Sequence, residues 1–198
     1  MEKELNNSLR SLIDGQARES FTLLKSIGEG AFSSVYLGHF LNDQSNLVAI
    51  KRIKKTQAFL GMNLGVECSL LRKLGRHENI IKYVGLYESP TCYYIVLEYM
   101  EGGELLDILL YNLENGEAYS EATVALILRQ VCNAVAHCHK NQIIHRDLKP
   151  ENVLVRRGTV FNEKIALNAL KLCDFGLAIV QTLGVYLLWF HQHYEGSR

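Results

Sequence analysis

The chain has 198 residues, 48% hydrophobic and 21% charged, and its 21 basic and 21 acidic side chains leave no net charge. This is the composition of a soluble globular fold; it excludes a disordered polar chain and gives no field that would favour nucleic acid or anionic membrane. The cysteines, Cys68, Cys92, Cys132, Cys138 and Cys173, are odd in number and show no CxxC spacing. That points to a reducing intracellular compartment, cytoplasmic or nuclear, rather than a disulfide framework or zinc site.

Residues 1–20 are polar and lack the apolar core of a signal peptide, so secretion is not expected. Leu5, Leu9, Leu12 and Ile13 fall at helical spacing. They fit either a short amphipathic helix docked on the adjoining domain or a frayed terminus. Three strands are predicted next, over Phe21–Ile27, Ser34–His39 and Leu47–Ile53. A helix is predicted from about Gln57 to Leu74, with Val66, Leu70, Leu71 and Leu74 on one stripe. Two more strands, Lys82–Glu88 and Cys92–Glu98, flank a turn at Ser89-Pro90.

Gly102-Gly103 breaks this pattern and helices take over. Glu104–Leu110 reads as a short helix. A long one comes after Ser120, a good N-cap with Glu121 in the first turn, and runs to about Lys140. Val124, Leu128, Val131 and Val135 make that helix apolar on more than one side, so burial from several directions is expected. Val153–Val155 and Lys171–Cys173 read as short strands, joined by a long connector, Arg156–Leu170, expected to lie at the surface.

Several runs carry chemistry. Gly28-Glu29-Gly30-Ala31-Phe32-Ser33-Ser34-Val35 joins the first two strands, either as a plain hairpin turn or as a glycine loop able to fold closely over phosphates. Alternation along the third strand puts Ala49 and Lys51 on one face, where Lys51 is either solvated or able to reach phosphates. Glu67, on the next helix, is either a surface carboxylate or the partner of Lys51. His145-Arg146-Asp147-Leu148-Lys149-Pro150-Glu151-Asn152 places a carboxylate, an ammonium and a carboxamide in one loop. Phosphoryl transfer needs those three groups together, to take a hydroxyl proton, steady the moving phosphoryl group and hold a metal ion. Asp174-Phe175-Gly176 reads as a second metal-binding run. Cys173 beside it reads as a small strand residue or a nucleotide-bordering thiol. His137-Cys138-His139 and His191-Gln192-His193 lack the spacing of a metal site.

These runs, in this order, resemble a eukaryotic protein kinase domain of the serine/threonine type. The resemblance covers about residues 21–178 and implies an α+β, two-lobe fold. The β-rich N-lobe with one main helix would span 21–97, the hinge 98–103, and an incomplete helical C-lobe 104–178, after a 1–20 extension. It implies ATP and Mg²⁺ as cofactors. Ile27, Gly28, Gly30, Ser33 and Val35 would cover the nucleotide. Lys51, oriented by Glu67, would bind its α- and β-phosphates. Leu97 would be the gatekeeper, with the backbone of Glu98 and Met100 meeting adenine. Ala49 would lie above the base with Val35, and Leu154 below it. Asp147 would accept the substrate proton, Lys149 would assist, and Asn152 and Asp174 would hold Mg²⁺. Lys149, two residues after Asp147, resembles kinases acting on serine and threonine. A protein substrate is therefore expected, with no nucleic-acid or membrane partner; the oligomeric state stays open.

After Ala178 the family's Ala-Pro-Glu-like run is absent, and residues 179–198 form an apolar tail. It reads as a cover for the lobe, a membrane-seeking segment anchored by Leu183–Phe190, or the product of an alternative transcript, with truncation the favoured expectation. Its apolar stretch is shorter than the about 18 residues needed to span a bilayer. The function expected is ATP-dependent phosphorylation of protein hydroxyls. The alternative is a catalytically impaired fragment that only binds nucleotide or a partner.

Overall fold

The computed structural model describes residues 13, 15–30, 33–55, 64–159, 161 and 165–181. Leu5, Leu9, Leu12, Ala31, Phe32, the first part of the helix expected from Gln57, and the tail from Thr182, including Leu183–Phe190 and His191-Gln192-His193, lie outside them. The first half is a five-stranded antiparallel sheet in the order β1-β2-β3-β5-β4. Its strands are β1 (Phe21–Glu29), β2 (Ser33–Phe40), β3 (Asp43–Lys54), β4 (Tyr83–Glu88) and β5 (Cys92–Glu98). β1 to β3 run beyond the predicted limits because ladder pairing extends into polar positions, as in Glu29↔Ser34 and Phe40↔Asp43. Phe21, Leu23, Ile50, Tyr94 and Val96 pack on one face of the sheet. Ile13 and Ala17, around a 3-10 turn at Gly15–Glu19, are buried against them, so this part of the N-terminal segment docks.

Helix α1 (Leu64–Leu74) crosses the other face. Leu70, Leu71 and Leu74 are buried and Val66 packs beside them. Gly75, at φ +64, ends the helix in the left-handed conformation that a Cβ disfavours, and its N–H returns to Leu71 and Arg72. These leucines enter the main core with Ile80, Ile81, Ile127, Cys138 and Phe175, which joins the sheet half to the helical half. Each such side chain contributes about 1.5–3 kcal/mol of burial.

Helix α2 (Leu105–Glu114) starts one residue later and runs a turn further than expected, closing at Asn115-Gly116. Helix α3 (Glu121–Lys140) has the predicted limits. Ser120 Oγ accepts the Thr123 N–H at 3.2 Å, and Asn141 Nδ2 donates to the His137 carbonyl at 2.9 Å. The expectation of burial from several directions needs correction. Thr123, Ile127, Gln130, Ala134 and Cys138 form one buried stripe, while Val124 and Leu128 are 41% and 55% exposed. Apolar content alone did not reveal that two polar residues, Thr123 and Gln130, belong to the inward face.

Two short pairs complete the fold. β6 (Ile143–Ile144) pairs with β9 (Ile179–Val180), and β7 (Val153–Val155) with β8 (Leu170–Leu172). β8 lies one residue earlier than predicted, because Leu172 pairs with Val153 while the Cys173 backbone turns to Asn152. β9 draws the first two residues of the expected tail into the fold. The connector is not simply a surface loop either. Ile165 and Ala169 are buried. Asn79 Nδ2 donates to the Leu167 and Leu170 carbonyls at 2.8 and 3.0 Å, and Gln130 Oε1 accepts the Leu170 N–H at 3.0 Å. Among the described residues no helix is long and apolar enough to cross a membrane.

Candidate active site

The β1–β2 hairpin carries Ile27, Gly28, Gly30, Ser33 and Val35, and closes through a Gly30 N–H to Ser33 carbonyl bond of 2.8 Å. A Cβ on Gly28 or Gly30 would meet described protein atoms no closer than 3.5 Å, and neither has a positive φ. The surrounding protein therefore does not itself demand glycine here. A loop that must approach a bound phosphate does.

On β3, Ala49 and Lys51 are half-buried on the face opposite Val48 and Ile50. Lys51 Nζ donates to Glu67 Oε1 at 3.0 Å and Oε2 at 3.2 Å, and to Asp174 Oδ1 at 2.9 Å. Three separate stretches of chain thus converge on one ammonium. The Lys51 and Glu67 side chains are only 16% and 8% exposed. Burial alone would lower the Lys51 ammonium, but Glu67 and Asp174 outweigh it and hold it above the ordinary lysine value. For Asp174, burial opposes ionisation, and Lys51 with the Gly176 N–H overcomes it to hold the carboxyl below the usual range.

The loop between β6 and β7 holds the second group. Asp147 Oδ2 accepts from Lys149 Nζ at 3.0 Å and from Asn152 Nδ2 at 2.8 Å, and Asn152 Nδ2 also donates to the Asp147 carbonyl at 2.8 Å. Hydrogen bonds from Lys149 and then Asn152 hold Asp147 below the ordinary carboxylate value, and the Asp147 bond raises Lys149. Both N–H groups of Asn152 are committed to Asp147, so its amide oxygen is the atom able to bind a cation.

His145 and Phe175, for which no role was expected, tie the two groups together. The His145 ring lies edge-on to buried Phe175 at 4.7 Å. Its Nε2–H donates to the Cys173 carbonyl at 2.9 Å, so Nδ1 is the acceptor for the Asp147 N–H at 3.3 Å. Burial lowers this ring below the usual histidine range. Their positions within the two loop runs were the available signal. Arg146 and Asp174 both take left-handed backbone, φ 68 and 57, and Arg146 Nε reaches the Leu177 carbonyl at 2.6 Å.

At the link between the halves, Leu97 is half-buried between two core clusters. The Glu98 N–H is committed to the Lys82 carbonyl at 3.0 Å, and the Met100 side chain is buried in the main core, leaving only its backbone for a ligand. Leu154 is half-buried on β7. Burial, with Asp174 and other neighbours, pushes the Cys173 thiol up to about 12, which fits a small strand-end residue rather than a reactive thiol. His137 packs on His77 with ring centroids 4.4 Å apart and Cys138 is buried in the core, so neither is arranged as a ligand. Among the described residues no group of three His, Cys, Asp or Glu is placed to hold a metal. The Asp174 carboxylate and Asn152 amide oxygen nonetheless fit Mg²⁺, which takes few protein ligands and completes its shell with water and phosphate oxygens.

A family model described as the protein kinase domain matches residues 21–194, extending past Ala178. The chain is 34% identical over 165 residues to the probable cyclin-dependent kinase 8 of Dictyostelium discoideum, covering 81% of this chain and 42% of that protein. It is 35% identical over 170 residues to calcium/calmodulin-dependent protein kinase type 1 of Caenorhabditis elegans, covering 85% and 45% respectively. The same enzyme of Caenorhabditis briggsae is also 35% identical, with 85% and 44% covered. The chain thus spans less than half the length of these curated relatives.

Proposed function

Because the chain belongs to the protein kinase family, we propose that it transfers the γ-phosphoryl group of ATP to serine or threonine hydroxyls of a protein. The observation that carries this reading is the Lys51 ammonium held by Glu67 and Asp174 from three distant parts of the sequence. Catalysis of this kind is positioning and charge stabilisation, and a lysine–glutamate pair in place with the metal-binding aspartate is its working arrangement.

Lys51 binds the triphosphate, fixed by Glu67. Gly28 and Gly30 let the hairpin backbone close over it, and Leu97, Ala49 and Leu154 border the base. Asn152 and Asp174 would hold Mg²⁺, which when bound neutralises charge on the triphosphate. Asp147, ionised across the neutral range, orients the substrate hydroxyl and accepts its proton. Lys149, 3.0 Å from Asp147, lies beside the path of the phosphoryl group and favours serine or threonine as acceptor.

The test is Mg²⁺-dependent labelling of a serine/threonine protein from γ-labelled ATP by the full chain and by Asp147→Ala. Loss of the base should lower the rate about 10²–10⁴-fold. Equal transfer by Asp147→Ala sinks the proposal. An ATP-dependent rise in melting temperature without transfer by the unsubstituted chain identifies a fragment that only binds nucleotide.

A further inference from the structure

Behind the link between the two halves, away from Lys51 and Asp147 in the residues that form it, lies an open pocket of ≈ 310 Å³. It is lined by Arg76, His77, Glu78, Lys82, Glu98 and Lys171. Its volume falls at the lower end of the range for small-ligand pockets, about 300–1,000 Å³. Its lining is unusual in charge, with three cations against two carboxylates and one imidazole.

The cations are not equivalent. Lys171 is buried, its side chain 7% exposed, and its ammonium is satisfied by Glu98 Oε1 at 2.9 Å and the Ile80 carbonyl at 3.1 Å. Glu98 Oε1 also accepts the Lys82 N–H at 2.6 Å. The Lys171–Glu98 pair therefore forms a neutralised wall. Arg76 and Lys82 are exposed, and among the described residues neither side chain is ion-paired. Glu78, the second carboxylate of the lining, makes no ion pair with a lysine or arginine among the described residues.

His77, on the lining, adds a hydrogen-bond donor. Its Nδ1 accepts the Asn79 N–H at 3.1 Å, so the neutral ring carries its proton on Nε2. Burial first, then His137 and Lys171, hold this ring below the usual histidine range against the pull of Glu78, which keeps it uncharged at neutral pH.

The frame is rigid. The Leu172 N–H donates to the Asn79 carbonyl at 2.9 Å and the Ile81 N–H to the Leu172 carbonyl at 2.9 Å. The Arg76–Lys82 segment is thereby laced to the strand that leads to Asp174. A preorganised frame with a guanidinium fork, an ammonium and an N–H donor is the chemistry that binds a phosphate dianion.

We propose that this pocket is a second binding site, for the phosphate dianion of a small phosphate or a phosphorylated side chain. Arg76 and Lys82 supply the countercharge, His77 Nε2–H supplies a hydrogen bond, and Glu78 on the lining weakens binding by repulsion. The site needs neither Asp147 nor Asp174, and of the residues expected to meet the nucleotide it shares Glu98.

The experiment tracks the imidazole resonances of His77 and His145 in the full chain during titration with inorganic phosphate, O-phosphoserine and, at matched ionic strength, sodium chloride. The His77 signals should shift saturably with the two phosphates and not with chloride, while His145 stays still. Arg76→Ala/Lys82→Ala should weaken binding about ten-fold or more, as expected for lost charge-assisted bonds. Glu78→Gln should tighten it several-fold, an effect that a merely structural role for these exposed side chains would not produce. Tighter binding of O-phosphoserine than of inorganic phosphate assigns a peptide-borne ester, and equal or weaker binding assigns the free anion. A chloride response matching phosphate, an unmoved His77, or indifference to all three substitutions overturns the proposal.

Discussion

Replacing Lys51 with methionine keeps the length and apolar stem of the side chain and removes only the ammonium. In the native fold that ammonium faces Glu67 at 3.0 Å and Asp174 at 2.9 Å. The substitution strands one buried carboxylate beside another partly buried one. Removing one partner of a buried pair costs about 3–5 kcal/mol. The Asp174 side chain is 48% exposed and solvent screens its share, so about 2–4 kcal/mol is expected for this site. For a chain of this size that lowers the melting temperature by roughly 5–15 °C. Urea unfolding at neutral pH reads the difference directly. Lys51→Met/Glu67→Gln should recover at least half of it, because the buried stranded charge is gone.

The pH dependence has the same origin. The raised Lys51 contributes stability that is complete below its ordinary 10.5 and is lost as pH rises through the folded value. The lowered Asp174 contributes stability above its ordinary 3.8 that is lost as pH falls through the folded value. The gap between native and Lys51→Met chains should therefore be widest between these limits and narrow at both ends. A Lys51→Met chain as stable as the original within about 0.5 kcal/mol, or a double variant whose cost is the sum of the two singles, refutes the reasoning.

Two further outcomes are expected. His145 and His77 are held below their ordinary 6.5, mainly by burial, so the unfolded chain binds these protons first. Stability should fall as pH drops below about 6.5, by up to about 1.4 kcal/mol per unit for the buried His145 and by less for His77, whose partial exposure screens it. Thermal melts from pH 7.5 to 5 measure this, and a flat or rising profile contradicts it. In the Gly102-Gly103 pair, an added Cβ on Gly102 would lie 2.5 Å from the Val155 carbonyl oxygen, while one on Gly103, at φ +78, meets nothing within 4 Å. Gly102→Ala should cost about 1–3 kcal/mol through overpacking, and Gly103→Ala about 1 kcal/mol through backbone strain alone. Denaturant midpoints that reverse this order would show that the Gly102 backbone does not dock on β7 as described.

Much of this molecule was legible in its sequence because the signals are local. Alternation along Leu47–Ile53 put Ala49 and Lys51 on one face. Ser120 marked the start of α3. The spacing within His145–Asn152 already confined Asp147, Lys149 and Asn152 to one loop. What was misjudged depends on partners far away in the chain. The inward stripe of α3 includes Thr123 and Gln130 because Gln130 meets Leu170 and Asn79, not because of its own hydropathy. The connector after Arg156 is partly buried because Asn79 and Gln130 satisfy its backbone. Lys171, placed on a short strand by the sequence, meets Glu98 and two backbone carbonyls only through the fold.

The residue types and their order along the chain already named the candidates for the chemistry, since identity needs no coordinates. That Lys51, Glu67 and Asp174 meet in one place, with Phe175 buried against His145, came from the packing of the folded chain. A contact across 123 positions leaves no periodicity to read. It exists because the shared core of α1, β8 and α3 closes the loops around it, and that closure is a property of the packed whole.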